Sequence, residues 1–434
     1  MTLGGEGLFS PSVSRVVGFT RLSPPAGRRC LLSSVLVVAI AAVVLPTLVA
    51  AATTGSRAGW RLVDLGTLGG KVAYSSEAVA INARGEVIGN SRNNSWSGSN
   101  PLTRAFLWRG GKLIALGTLG GPSSQANAIN DRGQIVGWAE TRSGKTHAFL
   151  WENGHMRDLG VPPGTDSSEA VAITNTGLVA GVANRSGHVV VWQYGRIRDL
   201  GRPWSPSREA GTLVEALNER GQIVGSTGYE YLSANGRVSI DRSFLWDGRN
   251  LRVLPPRNAR SEALDINESG QIIGWTYRGE FRAVTWERGT MRLLPLPPGG
   301  RGAFTSGNAL GEAGHAINDR GEIVGSSWSD REVDDHAVLW RNRTVLDLGT
   351  LGGNRSAAVA INNRGQVVGS SFTAGGTSDE PIQHAFLWQN GSMTDLGAPA
   401  TENSEAVAIN ERGQIIGNGI RVLRTHALVW LPTQ

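Results

Sequence analysis

Histidine and aspartate recur at matched positions along this sequence, and both residue types bind metals and transfer protons. Five histidines each stand four residues before a tryptophan. The predicted pairs are His147 with Asp158, His188 with Asp199, His336 with Asp347, His384 with Asp395, and His426 with Asp64. Only one of these histidines occurs per repeat, so three could not converge on a metal ion. We therefore interpret the five pairs as structural, and the sequence predicts no metal site and no cofactor.

Other catalytic patterns are weak. Carboxylates gather at Asp330, Glu332, Asp334 and Asp335, but their spacing fits no calcium loop, and we interpret them as a solvated segment. The Gly-Thr-Leu-Gly-Gly segments lead into strands and lack the helix N-terminus of a phosphate cradle. The sequence contains no convincingly spaced Ser/His/Asp set and no dinucleotide fingerprint. These observations favour a protein that is not an enzyme.

The histidines and aspartates belong to a repeated unit, seen most clearly between Gln125 and Gly160. Four short apolar runs lie within that unit. Each is too short for a helix, carries β-branched or aromatic residues, and is bounded by Gly, Asn or Asp. The unit is therefore predicted to be a meander of four strands.

The unit recurs eight times, with 44 to 51 residues between equivalent turn positions. Each copy carries two glycines on its second strand and one tryptophan on its third. These tryptophans are Trp108, Trp151, Trp192, Trp246, Trp286, Trp340, Trp388 and Trp430. A four-stranded unit of this period is typical of a propeller blade, and an open solenoid is the alternative.

The ends of the repeat region favour a closed ring. The region opens with a lone fourth strand, 61–66, and its last unit contains only three strands. A ring closes if the first strand completes the last blade, which removes exposed sheet edges. We therefore predict an all-β, eight-bladed β-propeller over residues 60–434. Its blades cover about 78–117, 125–160, 169–201, 213–255, 262–295, 313–349, 357–397, and 405–430 with 61–66.

Residues 1–52 are predicted to be a signal peptide with a polar leader, or an N-terminal anchor. Residues 31–52 are apolar and uncharged, and Arg28 and Arg29 precede them. Small residues near Ala51 suit cleavage. The only cysteine, Cys30, lies before the apolar run, so the mature chain would lack thiols.

Candidate ligand-binding residues fall in two groups. Chain direction places the connections from strand two to three, and from strand four to the next blade, on one face, here called the long-loop face. Variable loops on a rigid scaffold collect binding residues, and their aromatic candidates are Trp96, Trp204, Tyr229, Tyr231 and Trp328. The alternative is that these rings brace the loops. On the inner strands, polar residues that break the repeat predict a channel-lining site at Asn127, Glu215, Asp265 and His315.

The third and fourth strands resemble a known repeat family. His147-Ala148-Phe149 and His384-Ala385-Phe386 match the core of the HAF repeat, and the Asp-Leu-Gly-Thr-Leu-Gly-Gly segments beginning at Asp64 and Asp347 match its other hallmark. The resemblance covers about residues 60–434, and the repeats around Arg242 and Arg282 depart from it. It implies an extracellular repeat protein without a defined activity.

The expected function is therefore a secreted or cell-surface scaffold that binds through the long-loop face. The alternative is a propeller-fold hydrolase or lyase that acts on an extracellular polysaccharide. The expected partner is an extracellular glycan or protein, and the chain is expected to be a monomer. A formal net charge of +6 without a basic patch predicts no nucleic-acid partner. Membrane contact is expected only through residues 1–52, if they are not cleaved.

Overall fold

The computed structural model describes residues 49–50, 52–57, 59–69, 74–93, 102–183, 187–203, 211–233, 236–305, 315–329, 335–375, 381–397, 403–421 and 424–433. Every regular element in these ranges is a β-strand. None of the described residues belongs to a helix that is long and apolar enough to cross a membrane. The predicted signal peptide or anchor lies almost wholly outside the described residues, and so do Cys30 and the paired arginines before it.

The strands follow the predicted repeat. The N-terminal strands are β1 Val49–Ala50, β2 Ala52–Arg57 and β3 Trp60–Asp64. Blades 1 and 2 contain β4 Tyr74–Ile81, β5 Val87–Asn93, β6 Thr103–Arg109, β7 Lys112–Ala115, β8 Gly120–Ile129, β9 Ile135–Thr141, β10 Thr146–Glu152 and β11 His155–Gly160. Blades 3 and 4 contain β12 Ser168–Ile173, β13 Val179–Ala183, β14 His188–Gln193, β15 Arg196–Gly201, β16 Gly211–Leu217, β17 Ile223–Ser233, β18 Gly236–Trp246 and β19 Leu251–Val253.

The second half continues in the same order. Blades 5 and 6 contain β20 Arg260–Ile266, β21 Ile272–Tyr277, β22 Phe281–Glu287, β23 Thr290–Leu293, β24 Gly300–Thr305, β25 Ile323–Ser329, β26 Asp335–Arg341 and β27 Thr344–Asp347. Blades 7 and 8 contain β28 Gly352–Ile361, β29 Val367–Thr373, β30 Gln383–Gln389, β31 Ser392–Asp395, β32 Ser404–Ile409, β33 Ile415–Arg421 and β34 Arg424–Pro432.

Eight antiparallel sheets form the blades, which confirms the predicted all-β, eight-bladed propeller. In blades 1 to 7 the strands pair in chain order, and in blade 8 the N-terminal strand β3 follows β34, so the first strand lies at one sheet edge and the fourth at or near the other. Two sheets carry an additional outer strand, because β1 pairs with β7 and β2 pairs with β3.

The closing strand lies where the sequence predicts it. β3 pairs with β34, which sets Leu62 opposite Trp430 and Asp64 opposite Leu428. Leu65 donates its N–H to the carbonyl of Ala427 at 2.9 Å and is fully buried. The N-terminal segment therefore completes the last blade.

A chain of asparagine side chains joins the blades at the turn between the first and second strands. Asn82 donates from Nδ2 to the carbonyl oxygen of Asn130 in the next blade, and six equivalent bonds continue the pattern. The link from Asn410 to Asn82, at 3.0 Å, joins the last blade to the first. Thr174 replaces asparagine in blade 3, where its hydroxyl contacts Thr176 instead. The repeated turn thus joins the first two strands of each blade and also links neighbouring blades around the ring.

A second link uses a buried serine of the first strand. Ser76 Oγ accepts the N–H of Ala427 at 3.0 Å and donates to the carbonyl of Gly66 at 2.7 Å, so it ties blade 1 to both strands that close blade 8. Equivalent serines with both contacts are Ser124, Ser168, Ser356 and Ser404. These residues anchor each blade to the preceding one.

The tryptophan column fills the space between blades, as predicted. All eight rings are buried. Several hydrophobic clusters span consecutive blades, and one of them contains Trp340 of blade 6 together with Trp388 of blade 7. Trp340 Nε1 also donates to the carbonyl of Pro295 in the preceding blade at 2.7 Å. These contacts make the ring one continuous packed body.

The strand limits differ from the predicted blade limits in two places. Blade 6 was predicted to begin at about 313, whereas its first strand begins at Gly300, and Thr305 pairs with Gly325. Further along the chain, Ile317 forms an isolated bridge with Ile323. In blade 4, the connection that carries Tyr229 and Tyr231 is a paired ribbon that extends β17 and β18 up to the Ser233–Gly236 pair. The other blades begin one to five residues earlier than predicted, because their inner strands extend further toward the long-loop face.

Candidate ligand-binding site

The structure describes three of the five predicted aromatic residues, and it places them in two different blades. Trp96 and Trp204 lie outside the described residues, as do the carboxylates at 330, 332 and 334. Tyr229 and Tyr231 lie in the ribbon of blade 4, where they pair in register with Ile240 and Val238. Trp328 is half-buried, and its ring lies so close to Gly302 that a Cβ there would overlap it.

The predicted inner-strand residues do not form one site. Asn127 donates from Nδ2 to Glu169 Oε1 at 3.0 Å and to the carbonyl of Ala170 at 2.8 Å, which links blades 2 and 3. Glu215, in blade 4, is half-buried. The structure brings together only the remaining two, Asp265 and His315.

Asp265 and His315 form a contact between blades 5 and 6. Asp265 is buried, and its Oδ2 accepts the N–H of Ala316 at 2.9 Å. Its Oδ1 lies 3.4 Å from His315 Nδ1. The charge of Asp265 and its hydrogen bond raise the pKa of His315 to about 9. The His315 side chain is 73% exposed, so solvent reaches a charged imidazolium beside Asp265.

The five histidines of the repeat each contact their predicted aspartate through Nδ1. The distances are 2.8 Å to Asp158, Asp199 and Asp347, 3.0 Å to Asp395, and 2.9 Å to Asp64. In all five pairs, the aspartate also accepts the backbone N–H of the glycine two residues after it. The pairs therefore fasten strands three and four to the turn that follows.

The partners of these pairs meet diagonally rather than directly opposite each other. The turn after Glu152 has two residues, Asn153 and Gly154, and that register sets Asp158 opposite Phe149, two residues beyond His147. The imidazole and the carboxylate therefore meet diagonally, across neighbouring positions of one sheet face.

An aromatic cluster lies at the long-loop end of blades 5 and 6. It consists of Trp275, Tyr277, Phe281, Phe304 and Trp328. Ring centroids are 4.8 Å apart for Tyr277 and Phe281, 4.7 Å for Phe281 and Phe304, and 5.0 Å for Phe304 and Trp328. Tyr277 is 36% exposed, and Phe281, Phe304 and Trp328 are half-buried. The cluster thus presents a partly exposed aromatic surface that crosses a blade boundary.

Charged groups lie beside this aromatic cluster. Glu262 pairs in register with Trp275 and accepts a hydrogen bond from its side chain. Arg260 stands 5.9 Å above the same indole ring and donates two bonds to Asp241 Oδ2, at 2.9 and 2.7 Å. Desolvation and the nearby charge of Asp241 raise the pKa of Glu262 to about 7, while Arg260 and Trp275 oppose the shift. Hydrogen-bonding groups of both signs therefore lie at the buried end of the aromatic cluster, around Trp275.

The raised pKa of Glu262 gives a testable pH dependence. A carboxyl whose pKa is raised on folding stabilises the protein below its unfolded value, and this contribution is lost as the pH rises through the folded value. For Glu262 this interval runs from 4.5 to about 7. The melting temperature of Glu262→Gln, relative to the unsubstituted protein, is expected to rise across that interval. Glu280→Gln, on the exposed turn of the same blade, should show no such trend, and a constant difference for Glu262→Gln would contradict the assignment.

Most of this aromatic cluster was not among the residues predicted from the sequence. Tyr277 and Phe281 flank a turn of only three residues, 278–280, whereas the predicted aromatic candidates were all taken from long connections. The available signal was aromatic enrichment around 275–281 in a repeat that departs from the others. Phe304 lies on the inner strand β24.

Comparisons with known proteins establish the fold alone. No protein-family model matches the chain. No curated protein matches it either. Among solved structures, dipeptidyl peptidase 4 of Porphyromonas gingivalis is similar with a TM-score of 0.52 and 10% identity, over 82% of this chain and 58% of that chain. The β-propeller domain of the Trilobed protease from Pyrococcus furiosus is similar over 75% of this chain and 99% of that chain, with 8% identity and a TM-score of 0.46. The chain thus spans little more than half of the dipeptidyl peptidase, and the likeness between the two is one of fold.

Proposed function

We propose that this protein binds an extracellular glycan through the long-loop face of its propeller, at blades 5 and 6. The observation that carries the proposal is the aromatic cluster, whose partly exposed rings lie beside Glu262, Asp241 and Arg260. A sugar ring offers an apolar face and a rim of hydroxyl groups. The aromatic surface complements the face, and the flanking carboxylates and guanidinium complement the hydroxyls.

A protein partner is the other class expected from the sequence. Aromatic anchors and arginine also dominate protein interfaces. We prefer a glycan because positive and negative side chains both lie beside the rings within one small area. This arrangement suits a ligand with several hydroxyl groups better than a protein partner that inserts one charged side chain.

An extracytoplasmic location is part of the proposal. It rests on the apolar segment 31–52 and on the resemblance to the HAF repeat. The five histidine–aspartate pairs and the asparagine chain then form the rigid scaffold that holds the site. The site requires no metal or cofactor.

The test is glycan-array binding of the mature chain, followed by titration of the best ligand. Tyr277→Ala is expected to weaken binding about tenfold, because a stacking contact is lost at the exposed end of the cluster. The matched control is Tyr194→Ala. Tyr194 is 86% exposed and lies in the turn between strands three and four of blade 3, on the opposite face. Equal affinities for both variants would refute this location of the site, and binding to proteins but to no glycan would favour the other partner class.

Glu262 supports a second candidate, a hydrolase or lyase acting on a polysaccharide. A carboxyl with a pKa of about 7 near a second carboxylate suits general acid catalysis. In that case Glu262→Gln should abolish release of cleaved sugar while the variant still binds the polysaccharide. Absence of cleavage by the unsubstituted protein on every glycan that it binds would exclude this candidate.

A further inference from the structure

A cavity of about 390 Å³ lies between blades 6 and 7, on the face opposite the long loops. Its blade 6 wall contains Arg320, Glu322 and Arg341, and its blade 7 wall contains Arg364 and Trp388. Arg320 and Arg364 occupy equivalent positions in successive Asn-x-x-Gly turns. The cavity, here called the arginine cavity, is therefore a product of the repeat.

The guanidinium groups of the arginine cavity outnumber its carboxylate. Arg320 is held by Glu322, with Nη2 2.6 Å from Oε2. Arg341 stands further off, with Nη1 3.8 Å from Oε1 of the same carboxylate, and is 53% exposed. Arg364 is exposed, and its side chain has no hydrogen-bond or ion-pair partner among the described residues. Three guanidinium groups thus surround the single carboxylate of Glu322, which pairs closely with only one of them.

The same arrangement of two arginines and one glutamate occurs between blades 1 and 2, where all the charges are paired. There Glu86 binds Arg84 at 2.7 Å and Arg109 at 2.5 Å, so both arginines are fully engaged. The equivalent of Arg364 is Arg132, which donates to the carbonyl of Asn175 at 3.1 Å. In blades 1 and 2, each arginine of this arrangement therefore has a partner within the protein. In blades 6 and 7, Arg341 and Arg364 are left to contact a ligand.

The cavity also restricts the kind of anion that fits. A free phosphate or sulfate ion would leave most of a volume of about 390 Å³ unfilled. Leu339, Leu346 and Trp388 line part of the wall, and these apolar groups would face the carbon atoms of an organic ligand. Arginine binds planar carboxylates in a two-pronged geometry.

We infer that the arginine cavity binds a small organic carboxylate about the size of one sugar acid, held by Arg364 and Arg341. The site is separate from the aromatic cluster and does not depend on the proposed glycan function. It lies on the opposite face and uses residues of other blades.

The inference is tested by calorimetric titration of the folded chain with sodium glucuronate at low salt, and in parallel with glucose and sodium sulfate. Glucuronate is expected to bind saturably and at least tenfold more tightly than either control solute. Arg364→Ala should weaken that binding at least tenfold, and Arg341→Ala should also weaken it. Arg364 is exposed on a turn, so a melting curve should show an intact fold.

Arg412→Ala is the matched control, because Arg412 holds the same turn position in blade 8 but does not line the cavity. It should change glucuronate affinity less than twofold. Three results would overturn the inference. These are no saturable glucuronate binding, equal affinity for glucose or sulfate, or an equal loss of affinity in Arg412→Ala and Arg364→Ala.

Discussion

Deletion of residues 52–66 is expected to lower the melting temperature by at least about 10 °C. The deletion removes β3 and the residues just after it, with three buried side chains, Leu62, Val63 and Leu65. Each buried aliphatic side chain contributes about 1.5–3 kcal/mol, so the loss amounts to several kcal/mol. The deletion also leaves the outer edge of β34 unpaired, and such an edge promotes association between chains.

Calorimetry and sedimentation velocity measure both effects. The matched control is a deletion of residues 52–57 alone, which removes the additional strand β2 and keeps β3 in place. That control should melt within a few degrees of the intact chain and stay monomeric. Closure by β3 would be refuted if the longer deletion melted like the shorter one.

Cross-linking tests closure without removing any part of the chain. Arg61 and Leu431 are direct partners in the antiparallel register. Arg61→Cys combined with Leu431→Cys, in a chain that also carries Cys30→Ser, is expected to form a disulfide within one molecule. Disulfides that form only between molecules would indicate an open array or a domain-swapped assembly.

The fold could be predicted because its information is local and repeated. A short strand, an Asn-x-x-Gly turn and a buried tryptophan recur often enough that single departures such as Thr174 do not obscure the pattern. Closure followed from a strand count and from the match of His426 with Asp64. Both inferences rest on the alternation of apolar and polar residues along strands, on the residue types that form turns, and on the instability of an unpaired sheet edge.

The candidate site could not be predicted in the same way. The aromatic cluster forms only when residues of blade 5 meet Phe304 and Trp328 of blade 6 across the blade boundary. Phe304 lies on the first strand of blade 6, which begins at Gly300. That start could not be recognised from the sequence, because the Ala-x-Ala pattern seen in the inner strands of five other blades is absent between Gly300 and Thr305.

The diagonal register of the histidine–aspartate pairs follows from the length of the turn between strands three and four. A two-residue turn sets each aspartate opposite the residue two places after its histidine, as Asp158 lies opposite Phe149 and Asp395 opposite Phe386. The residue types predicted which histidine pairs with which aspartate, and the backbone register set the diagonal geometry of each pair.

Close approach of the inner strand explains the second glycine of each repeat. In seven blades the pairing of the first two strands also skips one residue, as between Ala358 and Ala360 in blade 7. Beside this bulge the carbonyl oxygen of Ala357 lies against Gly369. A Cβ at Gly369 would lie closer than 3.0 Å to that backbone oxygen, a separation that real Cβ atoms essentially never show. Backbone on both strands would have to move.

Gly369→Ala is therefore expected to destabilise the protein by about 3 kcal/mol, as overpacking against backbone does. Chemical denaturation of the purified chain measures the loss. Gly211→Ala is the matched control, because Gly211 also lies on a strand and has no heavy atom within 4 Å of the point that a Cβ would occupy. That control should change stability by less than about 0.5 kcal/mol. If the two variants unfold at the same denaturant concentration, the inner strand is free to relax, and close backbone approach is not the reason that glycine recurs here.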